Sequence, residues 1–366
     1  MPSTPRAEHI GSLLRPAELL AARTAHAAGE LDVADLRTAE DRAIEQALTL
    51  QQETGLDVYS DGEYRRFSFL SDVADAVDGF VDGHATMDWQ GGDSALDKRS
   101  TAKIVGARLR QHRRLTAHEV PFLAAHAPRP YKMTLPDPTY FTLASWQRGT
   151  SETAYPSRAD LLGDLTDVVR SELAALIADG VPYIQLDAPG FTLFADERLR
   201  AQMSADGTDP DALLDACIEA DRACLAGLDR AGVTVAMHLC RGNSQGRWLA
   251  AGGYDRIAAE LFARVPVDTW LLEYDDERSG DFAPLRHMPD AVIVVLGLVS
   301  TKTGHMEKRD ELIRRVEQAV RYVPLDRLAL SPQCGFASVA MGNPIDWDIQ
   351  RDKLRLVADT ARDLWG

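Results

Sequence analysis

The stretch RADLLGDLTDVVRSELAALIADGVPYIQLDAP, residues 158–189, contains both halves of the unit that sets the fold. Leu162, Leu165, Val169, Leu173, Leu176 and Ile177 recur at three- and four-residue spacing, which places them on one face of a helix that Gly180 ends. The run VPYIQLDAP follows directly and reads as a buried strand ending in Asp187. The same alternation continues on the C-terminal side. A helix over residues 211–230 precedes the strand GVTVAMHLC, and GGYDRIAAELFARV precedes DTWLLEYDDE. AVIVVLGLVS, the helix KRDELIRRVEQAVRYV, the strand DRLALSPQCGF and a last helix at 346–364 complete the series. Toward the N-terminus, AEHIGS, GLDVYSDGE and RPYKMTLP are further strand candidates, which brings the count to about eight. Strands alternating with helices make a parallel sheet. The expected fold is therefore α/β, an eight-stranded (βα) TIM barrel forming one catalytic domain over residues 1–366. An open doubly wound sheet is the alternative, but no GxGxxG follows any strand.

Residues 80–115 break the alternation. VDGFVDGHATMDWQGGDSALDKRS is rich in Gly and Asp, and TAKIVGARLR follows it. An inserted hairpin or lid after the second strand is expected there.

The chain has 366 residues, 45% of them hydrophobic, and a formal net charge of −16. That charge argues against nucleic-acid or anionic-membrane partners, which require a basic face. No apolar run is long enough for a membrane span. The segment MPSTPRAEHIGSLLRP carries no apolar signal core, so a cytoplasmic location is expected. Of the four cysteines, Cys217 and Cys224 lie within a helical apolar pattern and read as small core residues. Cys240 and Cys334 sit at the polar ends of apolar runs and need another explanation.

In such a barrel, chemistry gathers at the C-terminal ends of the strands. The strand ends here carry Gly11-Ser12, Asp61-Gly62-Glu63, Thr134 with Asp137, Asp187, His238-Leu239-Cys240, Glu273, Ser300-Thr301-Lys302 and Cys334-Gly335. Residues i and i+2 of a strand face the same side, so His238 and Cys240 can converge. With Cys334 and Glu273 they form a mixed N, S and O donor set suited to one Zn2+. Two thiolates soften the metal, which then favours holding a further thiolate over making hydroxide. The chemistry implied is alkyl or methyl transfer to a small thiol. Lys302 is a candidate acid or anion clamp. Arg15, Arg65 and Arg66 could grip an anionic substrate or be ordinary charges. Trp146, Trp248 and Phe336 could line a pocket for a flat donor or pack in the core. Asp137 could bind substrate or shape its own turn.

His238-x-Cys240, Glu273 in LLEYDDE and Cys334 in SPQCGF together resemble the zinc motif of cobalamin-independent methionine synthases. The likeness continues in order along the chain: His9-Ile10-Gly11-Ser12, Gly55-Leu56-Asp57-Val58 with Gly62-Glu63, and Gln185-Leu186-Asp187-x-Pro189. The resemblance implies the barrel, a catalytic zinc held by His238, Cys240, Glu273 and Cys334, and methyl transfer from 5-methyltetrahydrofolate to homocysteine in methionine biosynthesis. It also implies an amino-acid site made by Ile10, Gly11, Ser12, Glu63 and Asp187, with the two carboxylates receiving the ammonium. Two positions depart from the family. Ala188 replaces a Glu, and Thr301-Lys302-Thr303 replaces the Asp-x-His of proton transfer, which leaves Lys302 and Asp187 as catalytic candidates. The run GLVSTKTGHMEKRD resembles short, stand-alone members of the superfamily, some of which join other thiols such as coenzyme M to other electrophiles. A non-catalytic zinc- or thiol-binding barrel and a uroporphyrinogen decarboxylase-like enzyme are the remaining alternatives.

Overall fold

Every second residue of the parallel strands points to the same interior, and this alternation positions the site. The computed structural model describes residues 4–86, 88–91, 99–128 and 130–366. The chain opens with helices α1 (Ala17–Ala27), α2 (Val33–Thr54) and α3 (Ser71–Ala76). The antiparallel strands β1 (Val77–Thr86) and β2 (Arg99–Gln111) come next, followed by α4 (Val120–His126), β3 (Lys132–Pro136), α5 (Pro138–Ala144) and α6 (Arg158–Ala178). Then come β4 (Tyr183–Asp187), α7 (Glu197–Ala205), α8 (Pro210–Leu225), β5 (Thr234–Leu239), α9 (Asp255–Arg264) and β6 (Thr269–Glu273). The chain finishes with β7 (Ile293–Val299), α10 (Arg309–Ala319), β8 (Leu328–Pro332) and α11 (Trp347–Trp365).

Strands β3 to β8 pair in parallel in sequence order. Two shorter segments close the barrel where full first and second strands were expected. Ala7 bridges Leu330 of β8, and Tyr59 bridges Tyr131 just before β3. A backbone bond from Asp57 N to Ala7 O links the two segments. These segments stay short because side chains take over their backbone groups. The Asp57 carboxylate accepts from Arg6 N and Ala7 N, and Gln51 Oε1 accepts from Ser60 N. The insertion after the second segment is the β1/β2 hairpin, as expected. Its tip, residues 92–98, and Met87 lie outside the described residues.

The helix over 158–179 is present, opened by a reciprocal capping box between Ser157 and Asp160. The helix expected to reach residue 230 ends at Leu225, where Ala226 turns to extended backbone. Cys217 and Cys224 are free and buried in the core that packs helices on the barrel.

Outward strand residues such as Ile184, Leu186, Met237, Leu239, Trp270 and Leu272 join that large core. The inward residues Ile10, Val58, Tyr183, Ala236, Leu271, Val295 and Ala329 form a separate small cluster inside the barrel. Deeper inside, one inward position is a lysine. Lys132, fully buried, donates to Glu8 Oε2 at 2.9 Å, to Gln185 Oε1 at 2.8 Å and to the His9 carbonyl. Tyr183 completes the Glu8 contacts at 3.3 Å. Removing one partner of a buried pair strands the other charge. Lys132→Met is therefore expected to lower stability by about 3–5 kcal/mol, read from denaturant midpoints, whereas Glu8→Gln with Lys132→Met should recover much of the loss.

Candidate metal centre and active site

The inward alternation of β5 brings His238 to the C-terminal rim, and Cys240 follows just past the strand end. Cys334 comes from the loop after β8. Their ligand atoms all lie within 4.8 Å of one another, and all three residues are buried. His238 Nδ1 is 3.1 Å from the Leu271 carbonyl. A carbonyl only accepts, so Nδ1 carries the proton and Nε2 presents its lone pair. Nε2 is buried and has no hydrogen-bond partner. An orphaned imidazole nitrogen facing two thiols is the donor set expected of a zinc site, with the Leu271 carbonyl orienting the ring from behind.

The cluster is electrostatically polarised. A hydrogen bond from Cys240, with His238 and Lys302 nearby, holds the Cys334 thiol well below its usual range. The same contact, followed by burial, pushes Cys240 up. Burial opposes charge on His238, but the adjacent Cys334, with Asp187 and Glu273, more than offsets this and raises it.

Glu273 is fully buried beside the cluster but outside the three-atom group. Its Oε1 pairs with Lys302 at 3.1 Å, and its Oε2 accepts from Arg241 N at 2.6 Å. Lys302 also meets Asp275 at 3.4 Å. Burial works against charge on this lysine, but Glu273 and Asp275 outweigh it and keep it protonated. The structure thus engages Lys302 in an ion-pair cluster with Glu273 and Asp275.

A cavity brings together Ile10, Ser12, Glu63, Asp187 and the side chains of His238, Cys240 and Cys334. Gly11 permits the close approach of Glu63, because a Cβ there would lie 2.6 Å from Glu63 Oε1. Gly335 does the same for Ser12, whose Oγ would lie 2.0 Å from an added Cβ. Glu63, in left-handed backbone at φ 59°, accepts from Thr134 Oγ1 at 3.0 Å, while its buried Oε2 has no hydrogen-bond partner. Asp187 accepts from Gln185 Nε2 at 2.7 Å. Burial first, then neighbours that include Glu63, push Asp187 up to about 7 against the opposing effect of His238.

Sequence reasoning missed several walls of this cavity: Phe69, Trp89, Tyr140, Asn243 and Ser338. They come from loops and from α5, where no strand-end rule could locate them. A second cavity of about 300 Å³ lies on the other side of Tyr140, lined by Leu143, Trp146, Arg158, Leu199 and Met203. Of the three aromatics considered from sequence, Trp146 lines this cavity, Phe336 is fully buried, and Trp248 lies under the Arg278 guanidinium at 4.1 Å.

The three arginines do not reach for an anion. Arg15 donates to the carbonyls of Ala337, Glu63 and Arg66; Arg65 pairs with Glu40 and Asp41. Arg66 lies 2.7 Å from both Asp72 and Glu119, filling the cluster that these make with His118. Their carbonyl and carboxylate partners take most of the donors that an anion would need. Asp137 caps α5, accepting from Thr139 N and Tyr140 N, which favours the turn-shaping reading.

A parallel barrel that gathers His238, Cys240 and Cys334, three residues able to hold a metal ion, at its C-terminal rim is an architecture this chain shares with one known enzyme family. The profile described as "Cobalamin-independent synthase, Catalytic domain" matches residues 4–362, and the chain belongs to this family. The uncharacterized protein YxjG of Bacillus subtilis (strain 168) is 38% identical over 98% of this chain and 94% of its own length. A methionine synthase of Pyrococcus abyssi is 23% identical over 89% of this chain and 84% of its own. A putative vitamin-B12 independent methionine synthase from Listeria monocytogenes superposes with a TM-score of 0.76 at 27% identity, covering 100% of this chain and 99% of that one. The family contains methyltransferases. Among the described residues no helix is long and apolar enough to cross a membrane.

One buried acid next to the site makes a pH signature. Asp61 donates nothing to its partners: Oδ1 accepts from Glu63 N at 2.9 Å, and Oδ2 is unpartnered. Burial, then Glu119, pushes Asp61 up to about 7. The unfolded value is about 3.9. Between these values the folded state binds more protons, so this group's contribution to stability falls as pH rises through that window and is level above it. Asp61→Asn should shrink the fall, read as the difference between guanidinium midpoints at about pH 5 and about pH 7.5.

Proposed function

We propose that this chain is a zinc-dependent transferase that moves a methyl or related alkyl group onto the sulfur of a small thiol. The reading nearest to its family is transfer from 5-methyltetrahydrofolate, or its polyglutamate form, to homocysteine. The observation that carries it is the unpartnered Nε2 of His238 facing Cys240 and Cys334, in the same cavity as the buried carboxylates Glu63 and Asp187.

His238, Cys240 and Cys334 would hold the metal, with Glu273 beside it. Bound there, zinc supplies the positive charge that keeps a substrate thiol deprotonated yet nucleophilic at neutral pH. Glu63 and Asp187 offer the negative charge an amino acid's ammonium requires, and burying that cation relieves their mutual repulsion. Ile10, Gly11 and Ser12 bring the backbone close enough to shape this end of the cavity. In the transfer, a sulfur–carbon bond forms as the donor's carbon–heteroatom bond breaks; the donor leaves with the electron pair and gains a proton. Until the ammonium binds, Asp187, raised to about 7, can hold a proton, which it gives up on binding. The cavity beyond Tyr140, with Trp146 in its wall, is the place for a flat donor.

A thiol bearing a sulfonate, as in coenzyme M, is a second substrate class for this superfamily. The site's acidic lining and its internally engaged arginines favour an ammonium-bearing thiol over an anionic one.

Zinc should bind one per chain and be lost in Cys334→Ser. X-ray absorption on the zinc-loaded protein should gain a sulfur scatterer when homocysteine is added, and little should change with mercaptoethanesulfonate. An unaltered shell across a panel of thiols would sink the transferase reading in favour of a non-catalytic barrel. Glu63→Gln should weaken homocysteine binding about ten- to a hundredfold, while binding of 3-mercaptopropionate, which lacks the ammonium, should change little.

A further inference from the structure

We propose that Tyr140 is a catalytic residue of the transfer: its phenol hydroxyl stands where the thiol cavity meets the cavity beyond it, and donates a hydrogen bond to the heteroatom that the alkyl group leaves. The inference rests on the reading of the centre as one that activates a thiol.

Among the described residues, Tyr140 alone lines both the cavity of His238, Cys240 and Cys334 and the neighbouring cavity of about 300 Å³. A carbon that moves from a donor in the second cavity to a sulfur in the first therefore passes this side chain. Its place is fixed from two directions. Asp137, which caps α5, accepts from Tyr140 N at 3.2 Å and anchors the residue in the first turn of the helix. The ring packs edge-on against Phe69, with centroids 5.4 Å apart at 67°.

The hydroxyl is left over. It makes no hydrogen bond to any described residue, and it is not sealed in the interior as the unpartnered hydroxyl of Tyr274 is. Burial, and then the charge of nearby Cys240, push the phenol above its usual range, so that it stays a neutral donor at pH 7. Other cations in the neighbourhood are engaged. Lys302 lies between Glu273 and Asp275, and Arg158, in the wall of the second cavity, donates to the carbonyls of Thr142 and Leu143 while stacking on Trp146 at 4.9 Å.

In the transfer, the thiolate sulfur gives an electron pair to the new sulfur–carbon bond. The bond from that carbon to the heteroatom breaks, and the heteroatom keeps its pair. Tyr140 retains its proton and shares it in a hydrogen bond as charge grows on the heteroatom; water then protonates the released group. A donor already oriented in a site shielded from solvent stabilises such charge more than bulk water does.

The test uses the full chain loaded with Zn2+, homocysteine as acceptor and two methylating probes. Methyl iodide releases iodide, a weak hydrogen-bond acceptor. Methyl 4-methoxybenzenesulfonate releases an anionic oxygen that accepts well, and brings a flat ring to the second cavity. Tyr140→Phe keeps the ring and breaks no hydrogen bond within the protein, so zinc content and homocysteine affinity should stay within about twofold of the parent. Its kcat with the sulfonate ester should fall about ten- to a hundredfold with KM within about threefold, while its rate with methyl iodide should change less than about twofold. Equal slowing with both probes would make Tyr140 a wall and nothing more, and no slowing with either would leave the hydroxyl without a role; each result overturns the inference. A parent chain that methylates homocysteine no faster with zinc than without it would overturn the thiol-activating reading itself, and that outcome shows before any variant is made.

Discussion

Inside the barrel, the Lys132 ammonium is shared by Glu8, the His9 carbonyl and Gln185, and the placement of the site follows from it. Because Gln185 Oε1 accepts from the lysine, its Nε2 has to point the other way. There it donates to the Ile10 carbonyl and to Asp187, both at 2.7 Å. One buried cation therefore fixes an amide, and the amide fixes both the first closing segment and a carboxylate of the cavity. Such a pair need not add net stability over apolar packing. What it supplies here is a defined orientation at the point where the short N-terminal segments meet the sheet.

Above this floor, electrostatics separate the residues that stay bonded to the protein from those left open. Arg66 and Lys302 are engaged by internal carboxylates, and Arg15 and Arg65 give most of their donors to carbonyls and carboxylates of the chain itself. His238 Nε2 and Glu63 Oε2 have no hydrogen-bond partners, although burial makes that costly. Both residues line the same cavity, where an external ligand could satisfy them. One is a lone pair facing two sulfurs, and the other is a carboxylate oxygen in a cavity that also holds Asp187. The two kinds of open valence correspond to a soft metal and an ammonium group.

Much of this was legible in the chain itself. The 3.6-residue period of 158–179 and the apolar runs after each helix specify a parallel α/β barrel, because both are local properties of the backbone and of side-chain burial. The two-residue spacing of His238 and Cys240 specifies their common face for the same reason. The Gly- and Asp-rich interruption near residue 80 marks the hairpin. Composition and spacing also suffice to make zinc the expected metal for a set of one imidazole and two thiols.

What only the tertiary structure decided is which of several equally plausible polar residues are open. Sequence could not distinguish Arg66 gripping an anion from Arg66 filling an internal acidic cluster, nor show that Glu273 is the partner of Lys302 and of the Arg241 amide. It could not foresee Trp89, Tyr140 and Asn243 in the cavity wall either. The physical reason is the same in each case. Periodicity reports the face on which a residue lies, whereas the saturation of a hydrogen-bonding group depends on partners distant in sequence. Arg66 meets Glu119, and Glu273 meets Lys302, only when the barrel closes. The sequence alone thus determined the barrel and the donor atoms of the centre, and the folded structure determined which of those atoms remain free to bind.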